Sequence, residues 1–137
     1  MKVYAVFDTN ILVSAMISRR PDSAVVLAFE TLLSGEVTPL YNDEIIQEYT
    51  DVLHREKFHL PKSLVEAAIC QIKTNGIATE RIVTNEVFPD SSDAVFYEVA
   101  LSKGDTFLVT GNIRHFPKKH IVVTPAEFLE LIGKNKH

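Results

Sequence analysis

The sequence predicts an α/β fold, a three-layer α/β/α sandwich built around a central parallel sheet. Three observations carry that prediction. Short apolar runs of strand character alternate with longer segments of helical periodicity. Two of the strand-like runs end in small polar clusters, Asp8 to Asn10 and Thr110 to Asn112. No linker, repeat or low-complexity segment divides the 137 residues, so a single domain over residues 1–137 is expected.

The elements follow in order. Val3 to Phe7 is a compact apolar and aromatic run that stops at the polar turn Asp8, Thr9, Asn10, and so reads as a buried strand with an acid at its C-terminal end. Ser23 to Leu33 carries Val25, Val26, Phe29, Leu32 and Leu33 at helical spacing, with Gly35 as a stop. Val37 to Tyr41 reads as a second strand. Asn42 or Asp43 then caps a helix whose apolar stripe is Ile45, Ile46, Tyr49, Val52 and Leu53. A further helix runs from Pro61 to about Thr74 and ends at Gly76. Arg81 to Thr84 reads as a brief strand. Asp90, Ser91 and Ser92 are cap candidates for a helix through Val95, Phe96, Val99, Ala100 and Leu101, which Gly104 closes. Thr106 to Thr110 and Ile121 to Val123 are the last strands, and a helix follows Thr124 and Pro125.

Composition narrows the function classes. With 46% hydrophobic and 23% charged residues the chain is an ordinary soluble globular type. No apolar run approaches the roughly 20 residues of a membrane span, and the start lacks a basic-then-apolar secretion signal. The lone Cys70 has no disulfide partner and sits in an apolar stretch, so a buried thiol in a reducing, cytoplasmic setting is expected. A net charge of −4 argues against a broad electropositive surface, so any nucleic acid is met locally or through metal. The five glycines are dispersed, which excludes a phosphate-cradling loop, and no Gly-x-Ser-x-Gly turn supports a serine nucleophile. The histidine pairs His54/His59 and His115/His120 share no helical face and lack cysteine partners, which argues against zinc.

The acids are the informative residues. In open parallel sheets the ligand crevice lies beyond the carboxyl ends of the strands, so Asp8 to Asn10 and Thr110 to Asn112 are expected on one edge. Hard divalent cations take oxygen ligands, and a few converging carboxylates with water and substrate phosphate make the usual set. Asp8 ends a buried strand and points to the crevice, with loop capping as its competing role. Glu48 flanks the apolar stripe of its helix, and Glu44, one turn earlier, competes with it. Asp90 and Asp93 lie where a helix N-terminus favours any carboxylate, so a capping role competes with ligation.

Five segments in order, AVFDTNILVSA, EIIQEYTDVLHREKF, PDSSDAVFYEVAL, FLVTGNIRHF and TPAEFL, resemble the PIN-domain family across nearly the whole chain. The likeness is greatest to the prokaryotic toxin subgroup related to the VapC-like ribonucleases. The resemblance implies a metal-dependent endoribonuclease using Mg²⁺ or Mn²⁺. Position by position it matches Asp8, Glu48 and Asp93 to the family's metal-site acids. It also implies that Asn10 and Thr110 orient ligands or water, and that Asp90 matches an acid common in the subgroup. The fourth acidic position departs from the pattern: Asn112 stands there, with an amide oxygen that still accepts a metal or a hydrogen bond but carries no charge.

The resemblance further implies hydrolysis of single-stranded or looped RNA to a 5′-phosphate and a 3′-hydroxyl, a homodimer, and a small antitoxin protein that inserts into the crevice. Because an acidic site repels RNA, basic residues at its rim are expected to help. Arg19 and Arg20 follow the first strand, and Arg114, His115, Lys118 and Lys119 follow the Thr106 to Thr110 strand. His54, Arg55 and Lys57 lie at the far end of their helix and read as mostly surface. Two other classes remain open: an impaired PIN module that binds RNA or a protein without cleavage, and a response-regulator-like phosphotransfer domain.

Overall fold

The computed structural model describes residues 2–133. Their elements are β1 (Val3–Phe7), α1 (Thr9–Ile17), α2 (Ala24–Ser34), β2 (Val37–Tyr41), α3 (Asp43–Leu53), α4 (Lys62–Asn75), β3 (Ile77–Ala78), α5 (Ala94–Ala100), β4 (Thr106–Val109), β5 (Val122–Val123) and α6 (Pro125–Leu131). The strands form one sheet in the order β3-β2-β1-β4-β5, every pair parallel. Chain order reverses direction between β1 and β4. That reversal is the switch point at which open α/β sheets leave a crevice, and it puts Asp8, just after β1, beside Thr110, just after β4. The α/β sandwich is as expected.

Burial follows from position in the sheet. Ala5, Val6 and Phe7 are all essentially buried, because the central strand is covered on both faces. Phe128 of α6 meets Phe7 edge-on at 5.8 Å and Phe107 at 5.9 Å, while Tyr49 of α3 lies 6.3 Å from Phe96 of α5. The Tyr49 hydroxyl donates to the Phe7 carbonyl, tying α3 to the end of β1. Among the described residues no helix is long and apolar enough to cross a membrane.

Most boundaries come from local chemistry. Ser23 and Asn42 accept the N–H of Val26 and Ile45 at the starts of α2 and α3, and Thr124 and Glu127 form a capping box ahead of α6. Gly35 ends α2 in the left-handed conformation, φ 82°. Gly76 serves a different need. A Cβ there would lie 2.5 Å from the Pro39 carbonyl oxygen and 2.7 Å from that of Ile72, so the close approach of α4 to β2 requires its absence.

Three expectations are corrected. The polar cluster after β1 is not a turn but the start of α1, whose exposed face, Asn10, Ser14 and Ile17, mixes two small polar side chains with an apolar one while Thr9 is buried, so its one-sided pattern is weak. Arg81 to Thr84 forms no strand: its backbone bonds to one residue of α5, Ile82 N–H to the Glu98 carbonyl at 3.0 Å and Thr84 N–H to Glu98 Oε2 at 3.1 Å. The strand in this region is β3, directly after α4. Cys70 is exposed rather than buried, since α4 turns Val65, Ala68, Ile69 and Ile72 inward and places residue 70 on the opposite face.

Candidate active site

A cleft of about 630 Å³ opens at the carboxyl edge of the sheet. Asp8, Thr9 and Asn10 from the β1–α1 junction form its floor. Glu44, Gln47, Glu48, Asp51, Val52 and Arg55 come from α3 and its end, and Asp90, Ser92, Asp93 and His115 close the other side. The α3 residues recur at steps of three and four, so a single stripe of the helix forms one wall.

Asp8 is 4% exposed. Its position before α1 is that of a cap, yet its side chain makes no capping hydrogen bond. Instead the Thr110 hydroxyl donates to Asp8 Oδ2 at 2.8 Å, and the Asn112 N–H donates to the same Thr110 hydroxyl oxygen at 2.9 Å. Burial pushes the Asp8 carboxyl above its usual range, offset in part by Thr110 and by the nearby Asn10 and Thr9 amides. Thr110 thus orients Asp8, and the first amides of α1 assist its ionised form.

Glu48 is held by the Thr9 hydroxyl, which donates to Oε2 at 2.6 Å. Thr9 was not singled out in the sequence; its place immediately after the strand-end acid, on the first turn of an unforeseen helix, was the available signal. Glu44 competes less well for a free role, because both its oxygens accept from Arg81 Nη1, at 2.9 and 2.8 Å. Arg81 Nε in turn donates to the buried Glu98 at 2.6 Å.

Asp93 lies where a short 3-10 turn (Ser91–Asp93) runs into α5, and it too makes no cap bond. Its carboxyl is pushed up to about 6 by burial and by the negative charges of Asp8 and Asp90, against the pull of His115. His115 Nδ1 lies 3.2 Å from Asp93 Oδ2. Asp90 behaves as the capping reading expects: it is fully exposed and accepts from the Ser92 N–H and hydroxyl at 3.0 and 2.8 Å, which hold its carboxyl below the usual range.

Six carboxylates therefore line the cleft against one arginine and one histidine. Among the described residues no three acidic, histidine or cysteine side chains close into a ready coordination set. The donor chemistry nevertheless fits a hard cation: oxygen ligands in excess, a raised Asp93 carboxyl that a positive charge would relieve, and two acids oriented by threonines.

Several expected contributors stand elsewhere. Asn112 does not line the cleft, although its N–H reaches Thr110. Arg19 and Arg20 do not leave from the acid-bearing edge, because α1 intervenes and nine helical residues carry the chain roughly 13 Å onward. Arg114 and Lys118 are exposed and outside the cleft lining, and Lys119 pairs with Glu86 at 3.8 Å. Arg55, read as surface, lines the cleft.

No curated protein and no solved structure matches the chain significantly. A family model described as PIN domain matches residues 4–114. Proteins of that family are generally nucleases and typically use divalent metal ions. With residues 4–114 matched, a span that holds Asp8, Glu48, Asp90 and Asp93, the chain belongs to the PIN domain family.

Proposed function

We propose that this protein is a metal-dependent endoribonuclease that hydrolyses RNA phosphodiester bonds with Mg²⁺ or Mn²⁺. The observation that carries the reading is the convergence of Asp8, Glu48 and Asp93 on one cleft, Asp8 and Glu48 each positioned by a threonine hydroxyl. Asp8, Glu48 and Asp93 would hold the cation, with Asp90 and Asn10 beside them. When bound there, a divalent cation makes water a better nucleophile and neutralises phosphate charge. Thr110 keeps Asp8 oriented and favours its ionised form, and Thr9 keeps the Glu48 carboxylate facing the cleft. His115 Nδ1, 3.2 Å from Asp93 Oδ2, holds that carboxyl in place. Water attacks phosphorus as the P–O3′ bond breaks, leaving a 5′-phosphate on one product and a 3′-hydroxyl on the other.

The resemblance to the VapC-like subgroup supports a toxin role with an antitoxin partner, a homodimer and a cytoplasmic setting. Arg19, Arg20, Arg114 and Lys118 are the proposed outer RNA contacts. A second reading, an impaired module that binds RNA without cutting it, is favoured by one feature: Asn112 stands where the family's fourth acid is usual. The test is cleavage of a mixed pool of structured and single-stranded RNAs with Mg²⁺ or Mn²⁺ by wild type, Asp8→Ala and Asn112→Asp. Cutting that EDTA and Asp8→Ala abolish supports the nuclease. Silent wild type with activity in Asn112→Asp supports the impaired module. Silence from all three refutes the enzyme.

A further inference from the structure

We infer that Arg55 is a substrate-binding residue that holds a backbone phosphate of the RNA a few nucleotides from the bond that is cut. The inference rests on the nuclease reading above for its substrate class and adds a residue which that reading does not need. Of the basic stretch after α3, each member has a different surrounding. The His54 ring bonds back to the Thr50 carbonyl at 2.8 Å, and Lys57 lies over the Phe58 ring at 5.2 Å. Arg55 alone of the three lines the acidic cleft. Among the described residues it is also the only lysine or arginine in that lining, and it forms no ion pair with any of the six carboxylates around it.

An unpaired guanidinium at the mouth of an anionic cleft presents a planar fork of donors that matches phosphate oxygens. RNA must approach this cleft against carboxylate charge, so a fixed cation there offsets a repulsion that bound metal offsets only locally. Position sets which phosphate is held. Arg55 follows Glu48 by seven residues and closes the turn that ends α3, its N–H bonded to the Val52 carbonyl at 3.1 Å before the backbone becomes extended. That places it roughly 10 Å along the α3 axis from Glu48, the span of a few nucleotides at ~3.4 Å per stacked phosphate. A phosphate beside the scissile one is therefore the one assigned to Arg55.

The test compares wild type, Arg55→Ala and Arg55→Lys. Binding of a labelled single-stranded RNA decamer is read against salt in Ca²⁺, and cleavage of the decamer and of a dinucleotide is read in Mg²⁺. Expected for Arg55→Ala are about tenfold weaker decamer binding, a salt slope shallower by about 0.7, a raised decamer KM with kcat kept, and unchanged dinucleotide turnover. Arg55→Lys keeps the slope but not the full affinity. Arg55 is exposed, so both variants should melt with wild type. Unchanged decamer affinity and slope in Arg55→Ala would overturn the inference, as would absent wild-type binding or an equal loss of kcat on the dinucleotide. Arg55-dependent binding by a protein that cuts nothing would sustain the phosphate contact and remove the nuclease reading on which its distance from a cut bond rests.

Discussion

Replacing Asp93 by Asn should stabilise the metal-free protein, although it removes a residue proposed for catalysis. The Asp93 carboxyl moves from an ordinary 3.8 to about 6 through burial and the charges of Asp8 and Asp90. At about 1.4 kcal/mol per pH unit that corresponds to roughly 3 kcal/mol against folding. The side chain keeps 15% exposure and loses its contact with His115 on substitution, so about 1–2 kcal/mol is the expected gain after screening. The sign follows from proton binding. Above pH 6 folded and unfolded forms are both ionised and the penalty is complete; between about 6 and 3.8 the folded protein holds the proton more tightly, so wild-type stability rises as pH falls. Thermal melts in EDTA at about pH 7.5 should show Asp93→Asn higher by roughly 3 to 8 °C, and the difference should shrink by about two-thirds near pH 4.5. Adding Mn²⁺ should raise the wild-type Tm and leave the variant little changed. A variant less stable than wild type in EDTA, or a gain independent of pH, would refute the reasoning.

Other outcomes follow from single contacts. Thr9→Val frees Glu48 and should cost about tenfold in Mn²⁺ affinity by calorimetry, with urea stability changed by less than about 1 kcal/mol. Arg81→Ala leaves Glu98, 5% exposed, with a buried charge short of its partner; because Arg81 is itself a third exposed, a loss of about 2–3 kcal/mol is expected in denaturant unfolding, and the double variant Arg81→Met with Glu98→Leu should recover most of it. Gly76→Ala drives a Cβ against two backbone carbonyl oxygens and should lower unfolding free energy by about 2–3 kcal/mol.

What the sequence disclosed depended on whether the governing contact was local. Caps, strand ends and apolar stripes are local, so β1, α2, α3 and α6 and the acids at their ends were legible. The segment Arg81 to Thr84 has strand composition, but its partner, Glu98, lies far along the chain and bonds it side-on to a helix. The start of α1 was hidden because its exposed face, Asn10, Ser14 and Ile17, carries no charge and includes an apolar side chain, while the polar Thr9 is buried. That one omission displaced Arg19 and Arg20 from the cleft edge. Arg55 was obscured differently: its neighbours His54 and Lys57 made it one of a basic surface run, and only the α3 stripe shared with Glu44, Glu48 and Asp51 reveals the face it joins. Glu48 and Glu44 were equivalent on spacing, and Arg81 and Thr9, remote in sequence, separate them.

The measurement nearest the central claim is Mn²⁺ uptake, followed by the resonance of free Mn²⁺, in wild type, Asp8→Ala, Asp93→Asn and Asn112→Asp. Expected are saturable uptake by wild type, loss of at least about tenfold in affinity in the first two variants, and tighter uptake in Asn112→Asp. Equal uptake by wild type, Asp8→Ala and Asp93→Asn, or none by wild type, would contradict that claim.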